Sequence, residues 1–260
     1  QIIKWLQLPS EQRPQFIASY FSSVDSAGHY YGPNSIELTK AVEDIDFLIG
    51  EFVTKLNKEI TPRVNVILVS DHGMLEKDNT KVIKPSMIFD DEIVNLIKDR
   101  VITVARNDTQ IYIYFTKSKS NEQERSIIIE KMTSNKNNNN LYRLYAKGKF
   151  PKHWQFDKDI ELVPDLILEA LPPATFVKEN HDSKLLNIGT HGYDATNQKN
   201  LMGIFIALGP GIVKGKEIKT FENIHIFPFM SELLAIKTPE VIDGKREVLT
   251  QYLKNKLDNK

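Results

Sequence analysis

The chain contains no cysteine, which excludes both a disulfide framework and a thiolate metal site. It carries no excess of either charge: Lys plus Arg and Asp plus Glu each number 34. No global field therefore draws it to nucleic acid or to an anionic membrane. No apolar run approaches the roughly 20 residues that a membrane-spanning helix requires. The opening stretch from Gln1 to Leu6 has no initiator Met, basic n-region or small-residue cleavage site, so it is not read as a signal peptide. The chain reads as starting mid-protein, with any targeting information upstream. What remains is ordinary: 260 residues, 41% hydrophobic and 26% charged, enough for a substantial core in one or two globular domains. No internal repeat is evident.

Against this plain background, five residues in three short motifs need explaining. Asp25 and His29 lie in Val-Asp-Ser-Ala-Gly-His-Tyr-Tyr-Gly-Pro, Asp71 and His72 in Val-Ser-Asp-His-Gly-Met, and His191 in Gly-Thr-His-Gly-Tyr-Asp. Mixed carboxylate and imidazole donors suit zinc or a similar first-row metal better than magnesium or calcium, which prefer oxygen alone. The three residues between Asp25 and His29 let a tight loop or a helical turn aim both at one ion; hydrogen bonding within a capped loop is the alternative. Asp71 and His72 cannot share a face of a regular strand, but the backbone turns at a strand end. The alternative there is an Asx-turn with a solvent-facing imidazole. His191 sits between Gly189 and Gly192, where the backbone has unusual freedom. His153, His181 and His225 are read as structural or solvated, and Asp194 either orients an imidazole or caps the following turn.

Two metal ions can clamp a phosphoryl group during an in-line displacement. Each needs three or four ligands, so five residues make one complete set and one deficient set. The pattern implies a dinuclear metal hydrolase.

The surrounding sequence reads as α/β. Phe16 to Phe21 is expected to be a strand running into the Asp25 loop, which Gly32-Pro33 closes. A long helix follows, with Asn34 as N-cap and Glu37 completing the capping box. Leu38, Val42, Ile45, Ile49, Phe52 and Leu56 give it one buried face, and Thr61-Pro62 ends it. The apolar run Val66 to Val69 predicts a strand of a parallel sheet covered on both faces, with Asp71 and His72 at the carboxyl edge where ligands bind. Met202 to Pro210 predicts another core strand. Ile224 to Ile236 predicts a helix with Pro228 in its first turn or at a kink. Between them, 101–105 and 111–115 predict a hairpin through Asn107-Asp108, 126–132 a helix, Ser134 to Asn140 a polar turn and 166–170 a strand. Residues 1–84 and 186–260 are accordingly expected to form a metal-bearing core that lacks its N-terminal part. Residues 85–185 are expected to be a smaller α+β insertion within the same catalytic domain.

Together these motifs resemble the type I phosphodiesterase/nucleotide pyrophosphatase family of the alkaline phosphatase superfamily. The resemblance runs through Trp5 to Pro9 with Arg13-Pro14, Asp25 to Pro33, Ser70 to Met74, His191 to Asp194 and Phe205 to Pro210, and is weakest in the insertion. It implies an alkaline phosphatase-like sheet flanked by helices, and two zinc ions. Asp25, His29 and His191 would hold one ion, and Asp71 and His72 the other. It also implies a further Asp and a Thr or Ser nucleophile upstream of Trp5, neither of which this chain contains. Tyr20 takes the place of a Tyr that lines the family's substrate pocket, and Val24 stands where the family usually has Pro. The implied chemistry is attack on a phosphodiester or pyrophosphate through a covalent phosphoryl-enzyme. The chain alone is expected to be inactive unless its upstream segment is supplied. The family's usual location implies an extracytoplasmic protein. Rival readings are a phosphomonoesterase, sulfatase or cofactor-independent phosphoglycerate mutase on the same scaffold, or a catalytically silent metal-binding module. A nucleic-acid-binding domain fits the neutral charge poorly.

Overall fold

The computed structural model describes residues 1–61, 63–134, 140–156, 162–180 and 187–254. In chain order the helices are α1 (Ile2–Leu6), α2 (Ser23–Tyr31), α3 (Ile36–Glu59), α4 (Asp91–Lys98), α5 (Glu122–Ser134), α6 (Ile226–Leu234) and α7 (Arg246–Thr250). The strands are β1 (Val66–Val69), β2 (Leu75–Glu76), β3 (Val82–Ile83), β4 (Ile102–Arg106), β5 (Gln110–Phe115), β6 (Tyr142–Ala146), β7 (Leu166–Ala170), β8 (Thr175–Phe176), β9 (Gly189–Thr190) and β10 (Phe205–Leu208). They fall into two compact units, one of residues 1–24, 39–72 and 203–260, the other of 25–38 and 73–202. Pro62, the centre of the polar stretch at 135–139, and His181 lie outside the described residues.

In the first unit β1 pairs antiparallel with β10, from Val66 opposite Leu208 to Val69 opposite Phe205. Ser70 prolongs the pairing: its N–H donates to the Ile204 carbonyl at 3.2 Å and its hydroxyl accepts the Ile204 N–H at 2.9 Å. The expectation of a parallel strand covered on both faces is therefore corrected. An apolar run signals burial and says nothing of strand direction, and here Val69 is 52% exposed. Phe16 to Phe21 is not a strand either, although its residues favour one. A ladder needs a neighbour, and among the described residues this stretch has none; Phe16, Tyr20 and Phe21 stay exposed.

Helix α3 keeps the expected period. Ile45, Ile49 and Phe52 are partly buried and Leu56 fully, with Ala41 rather than exposed Val42 on the stripe. Leu56 and Ile60 pack with Leu6 of α1 in one small core. The N-cap is Ser35, not Asn34: the Ser35 hydroxyl accepts the Leu38 N–H at 3.1 Å and donates to the Gly32 carbonyl at 2.9 Å. A second core joins Ile212, Phe229 of α6 and Leu249 of α7. Pro228 sits in the first turn of α6, where a missing N–H costs no helical bond.

The second unit is built on a sheet of order β4-β5-β7-β6, antiparallel throughout. The β4–β5 hairpin forms as expected, its turn held by the Asn107 side chain, which accepts the N–H groups of Thr109 and Gln110 at 2.8 and 2.6 Å. Central β7 is buried at all five positions. Strand alternation puts Leu166, Leu168 and Ala170 on one face, in the cluster that contains Ile93 of α4 and Ile128 and Met132 of α5. Ile167 and Glu169 take the other face. Asp90 caps α4 and Asn121 caps α5, each accepting a main-chain N–H three residues on. Short ladders β2–β9 and β3–β8 complete the unit.

Candidate metal centre

Within the second unit, Asp25 and His29 lie one turn apart on α2, so the i, i+4 spacing sets both on one face. The segment is a helix rather than a loop, and Gly28, between them, is helical and buried. His29 Nε2 stands 3.5 Å from Asp25 Oδ1. Its other nitrogen, Nδ1, lies 3.0 Å from the Gly189 carbonyl oxygen. A carbonyl can only accept, so in the neutral imidazole Nδ1 holds the proton and Nε2 exposes a lone pair toward the carboxylate. Two electron-rich atoms facing each other at this separation are a poor pair and a good cradle for a cation. The donation from Nδ1 to a main-chain carbonyl is also how metal-binding imidazoles are commonly fixed.

Gly189 begins β9, opposite Glu76 of β2, and His191 follows immediately after that strand. The His29 and His191 rings lie 5.1 Å apart, centroid to centroid. Asp25 and His191 offer ligand atoms within 4.8 Å of one another. The structure thus brings Asp25 close to both His29 and His191, although His191 lies more than 160 positions after either in sequence. All three retain some exposure, and an acceptor set of one carboxylate and two imidazoles fits zinc.

Asp71 and His72 follow Ser70 at the end of β1, as expected, in the first unit. The Asp71 carboxylate accepts the His72 N–H at 3.1 Å, and His72 Nε2 lies 3.6 Å from the same oxygen. The Asp71 side chain is 73% exposed and His72's 25%. Tyr20 is exposed. Asp194 both caps the following turn and holds an imidazole, that of His153: its Oδ1 accepts the Thr196 N–H at 2.8 Å, while Oδ2 meets His153 Nε2 at 2.6 Å and the Trp154 indole N–H at 3.1 Å. Burial pushes its carboxyl up, but the Thr196 hydrogen bonds and His153 outweigh that and hold it below the usual range. His225 is buried, with Nδ1 accepting the Lys245 N–H at 3.0 Å.

The profile of one family, described as type I phosphodiesterase / nucleotide pyrophosphatase, matches residues 1–194. The chain belongs to this family. Among relatives of this phosphodiesterase family, human ectonucleotide pyrophosphatase/phosphodiesterase family member 1 is 30% identical over 256 residues, which span 98% of this chain and 26% of that protein. Venom phosphodiesterase CdcPDE of Crotalus durissus collilineatus is 28% identical over 98% of this chain and 29% of its own length. The chain thus spans between a quarter and a third of these two relatives. The solved structure of human ectonucleotide pyrophosphatase/phosphodiesterase 5 superposes with a TM-score of 0.79 at 22% identity, covering 98% of this chain and 62% of that one. The fold is the mixed α/β, alkaline phosphatase-like architecture of this family.

What the sequence missed at this candidate site is main chain. No motif marks the Gly189 carbonyl as the partner that fixes His29, because a hydrogen bond to a backbone atom leaves no residue-type signature.

Proposed function

We propose that this chain is part of a zinc-dependent enzyme that hydrolyses phosphodiester or pyrophosphate bonds in nucleotides. Asp25, His29 and His191 hold one zinc ion; Asp71 and His72 hold a second, completed by a carboxylate from an upstream segment. That segment also supplies the Thr or Ser hydroxyl that attacks phosphorus, giving a covalent phosphoryl-enzyme. When bound, zinc would supply Lewis acidity and charge neutralisation for phosphoryl transfer. The chain's own residues do the positioning. Helix α2 presents Asp25 and His29 as a pair, and the Gly189 carbonyl keeps the His29 lone pair turned toward the carboxylate. Tyr20, exposed on the chain, offers a ring to the substrate. On the same reading 85–185 is an α+β insertion within the catalytic domain.

The observation that carries this reading is the His29 geometry, a ligand-competent tautomer aimed at a carboxylate inside a family motif. Membership of the family supports the reaction class. An inactive variant of murine ectonucleotide pyrophosphatase/phosphodiesterase 5, of the same fold, is described in complex with AMP, which favours a nucleotide for this site too. The relatives' names, with "ecto" and "venom", support an extracytoplasmic location. Among the described residues no helix is long and apolar enough to cross a membrane.

Zinc content after dialysis and turnover of a nucleotide diester beside a simple monoester test the proposal. The isolated chain should retain about one zinc ion and turn over neither substrate, since the second set of ligands falls short of the three or four each ion needs. With the upstream segment it should retain two ions and prefer the diester. With that segment present, preference for the monoester would favour a phosphomonoesterase, and zinc without any turnover a silent module.

A further inference from the structure

We propose that Thr109 and Glu169, neighbours at the adjoining ends of β5 and β7, are positioning residues that set the direction of His191. The proposal rests on the reading of His191 as a zinc ligand and extends it to two residues that no motif singles out.

His191 lies on a short excursion, and the sheet grips that excursion on both sides of Gly192. On one side, the Thr109 hydroxyl shares its proton between the His191 carbonyl at 3.3 Å and Asn107 Oδ1 at 3.2 Å. On the other, Glu169 Oε1 accepts the Asp194 N–H at 2.8 Å. The two grips come from one place: Gln110, next to Thr109, pairs with Glu169, and the Ala170 N–H donates to the Thr109 carbonyl at 2.8 Å. Thr109 and Glu169 are 1% and 3% exposed, so both grips are sheltered from water.

Between them the backbone has little slack. Gly192 has φ +95°, and a Cβ there would stand 2.7 Å from Thr109 Oγ1. The neighbouring Tyr193 is buried, its hydroxyl donating to the Ala174 carbonyl at 2.8 Å. An imidazole on a chain held at its own carbonyl and three residues later has few directions open to it.

Glu169 is costly to place here. A carboxylate on a central strand loses its hydration, and burial raises its pKa above the usual range. Oε1 has the Asp194 N–H as its short partner; among the described residues Oε2 meets the Tyr145 hydroxyl at 3.5 Å, and the Arg143 guanidinium, opposite on β6, also favours the charge. An apolar residue on this face of β7, like Ile167 beside it, would serve packing better. The carboxylate makes sense as the acceptor that ties down the His191 segment.

The test compares the full chain with its Glu169→Leu, Glu169→Gln, Thr109→Val and Ile113→Val variants. Zinc affinity is read by competition with a chromogenic chelator, and the unfolding midpoint is measured without zinc. Outer partners of metal ligands typically govern about 10–100-fold in metal affinity, so Glu169→Leu and Thr109→Val should lose that much, while Glu169→Gln, which keeps an acceptor oxygen, stays within about threefold. Ile113→Val, on the same sheet, should lower the midpoint and leave zinc affinity unchanged. In the metal-free chain, exchange of the Asp194 amide should be slow in the wild type and faster in Glu169→Leu. Folded Glu169→Leu binding zinc as tightly as wild type would overturn the proposal, as would an equal loss in Ile113→Val. If Glu169→Leu does not fold, Thr109→Val decides by the same comparison. A wild-type chain that binds no zinc would overturn the metal reading itself, visible before any substitution is made.

Discussion

Gly189 of β9 packs directly on the carbonyl of Gly28 in α2: a Cβ at 189 would lie 2.2 Å from the Gly28 oxygen. The strand that leads to His191 therefore touches the helix that carries Asp25 and His29, backbone against backbone. Gly189→Ala forces main chain to move, and a cost near 3 kcal/mol is expected, the upper part of the usual ~1–3 kcal/mol overpacking range. Gly28→Ala differs in kind. Its new methyl would meet the flexible end of Met74 at 3.0 Å, and alanine gains about 0.5–1 kcal/mol in a helix. Urea denaturation should therefore separate the two variants by at least about 2 kcal/mol. Equal stabilities would show that the contact is not rigid.

Lys77 and Asp108 form an ion pair of unequal partners. Nζ and Oδ2 are 3.0 Å apart, but the lysine side chain is 3% exposed and the aspartate's 59%. Asp108→Ala leaves an ammonium group buried without its counter-charge and should cost about 3 kcal/mol. Lys77→Met keeps most of the buried stem and frees a carboxylate that already reaches water, so about 1 kcal/mol or less is expected. Chemical denaturation of both variants checks the order, and a larger loss in Lys77→Met would reverse the assignment.

Much of this fold and site is written in local pattern. The α3 stripe apart from exposed Val42, the Asn107 turn and the apolar β7 run each follow from periodicity or turn chemistry, and structure agrees with them. The pairing of Asp25 with His29 follows from helical spacing. What pattern does not carry is partnership over distance. Val66 to Val69 reads as buried, yet its antiparallel partner β10 begins well over 100 residues later, and no side chain announces the direction. Phe16 to Phe21 has strand residues and no ladder among the described residues, because propensity cannot supply a neighbour. Ser35 displaced Asn34 as cap of α3 through a one-residue choice between two good capping residues. Glu169 hid inside the strand pattern Leu-Ile-Leu-Glu-Ala, where a single carboxylate looks like a surface position until the sheet's second face is seen to be covered.

Glu169 also makes a signed pH prediction. Its carboxyl is raised, chiefly by burial and against the Asp194 N–H that favours its charge. Below the unfolded-state value, about 4.3, both states are protonated and no penalty applies. As pH rises from there, the unfolded chain loses its proton first, so stability falls until the folded carboxyl has ionised as well. Glutamine does not titrate. The unfolding midpoint of metal-free Glu169→Gln relative to wild type should therefore climb between pH 4 and pH 7. A difference that stays flat across that window would mean the carboxyl is not penalised in the folded state.

His29 offers the most direct reading of the metal centre, because its two nitrogens have different neighbours. With Nδ1 donating to the Gly189 carbonyl at 3.0 Å, the neutral ring must be the Nδ1–H tautomer, and long-range proton–nitrogen NMR of the zinc-free chain should find it so. Adding zinc should then shift the Nε2 resonance and leave Nδ1 protonated. His29→Ala removes a ligand outright and should weaken zinc binding by more than the about 100-fold that outer partners reach. His225→Gln supplies the contrast: that ring accepts the Lys245 N–H at 3.0 Å in the other unit, so its loss should lower stability and leave zinc affinity alone. An Nε2–H tautomer at His29, or zinc binding that survives His29→Ala, would remove the helix from the metal site and leave Asp25 and His29 as a hydrogen-bonded pair.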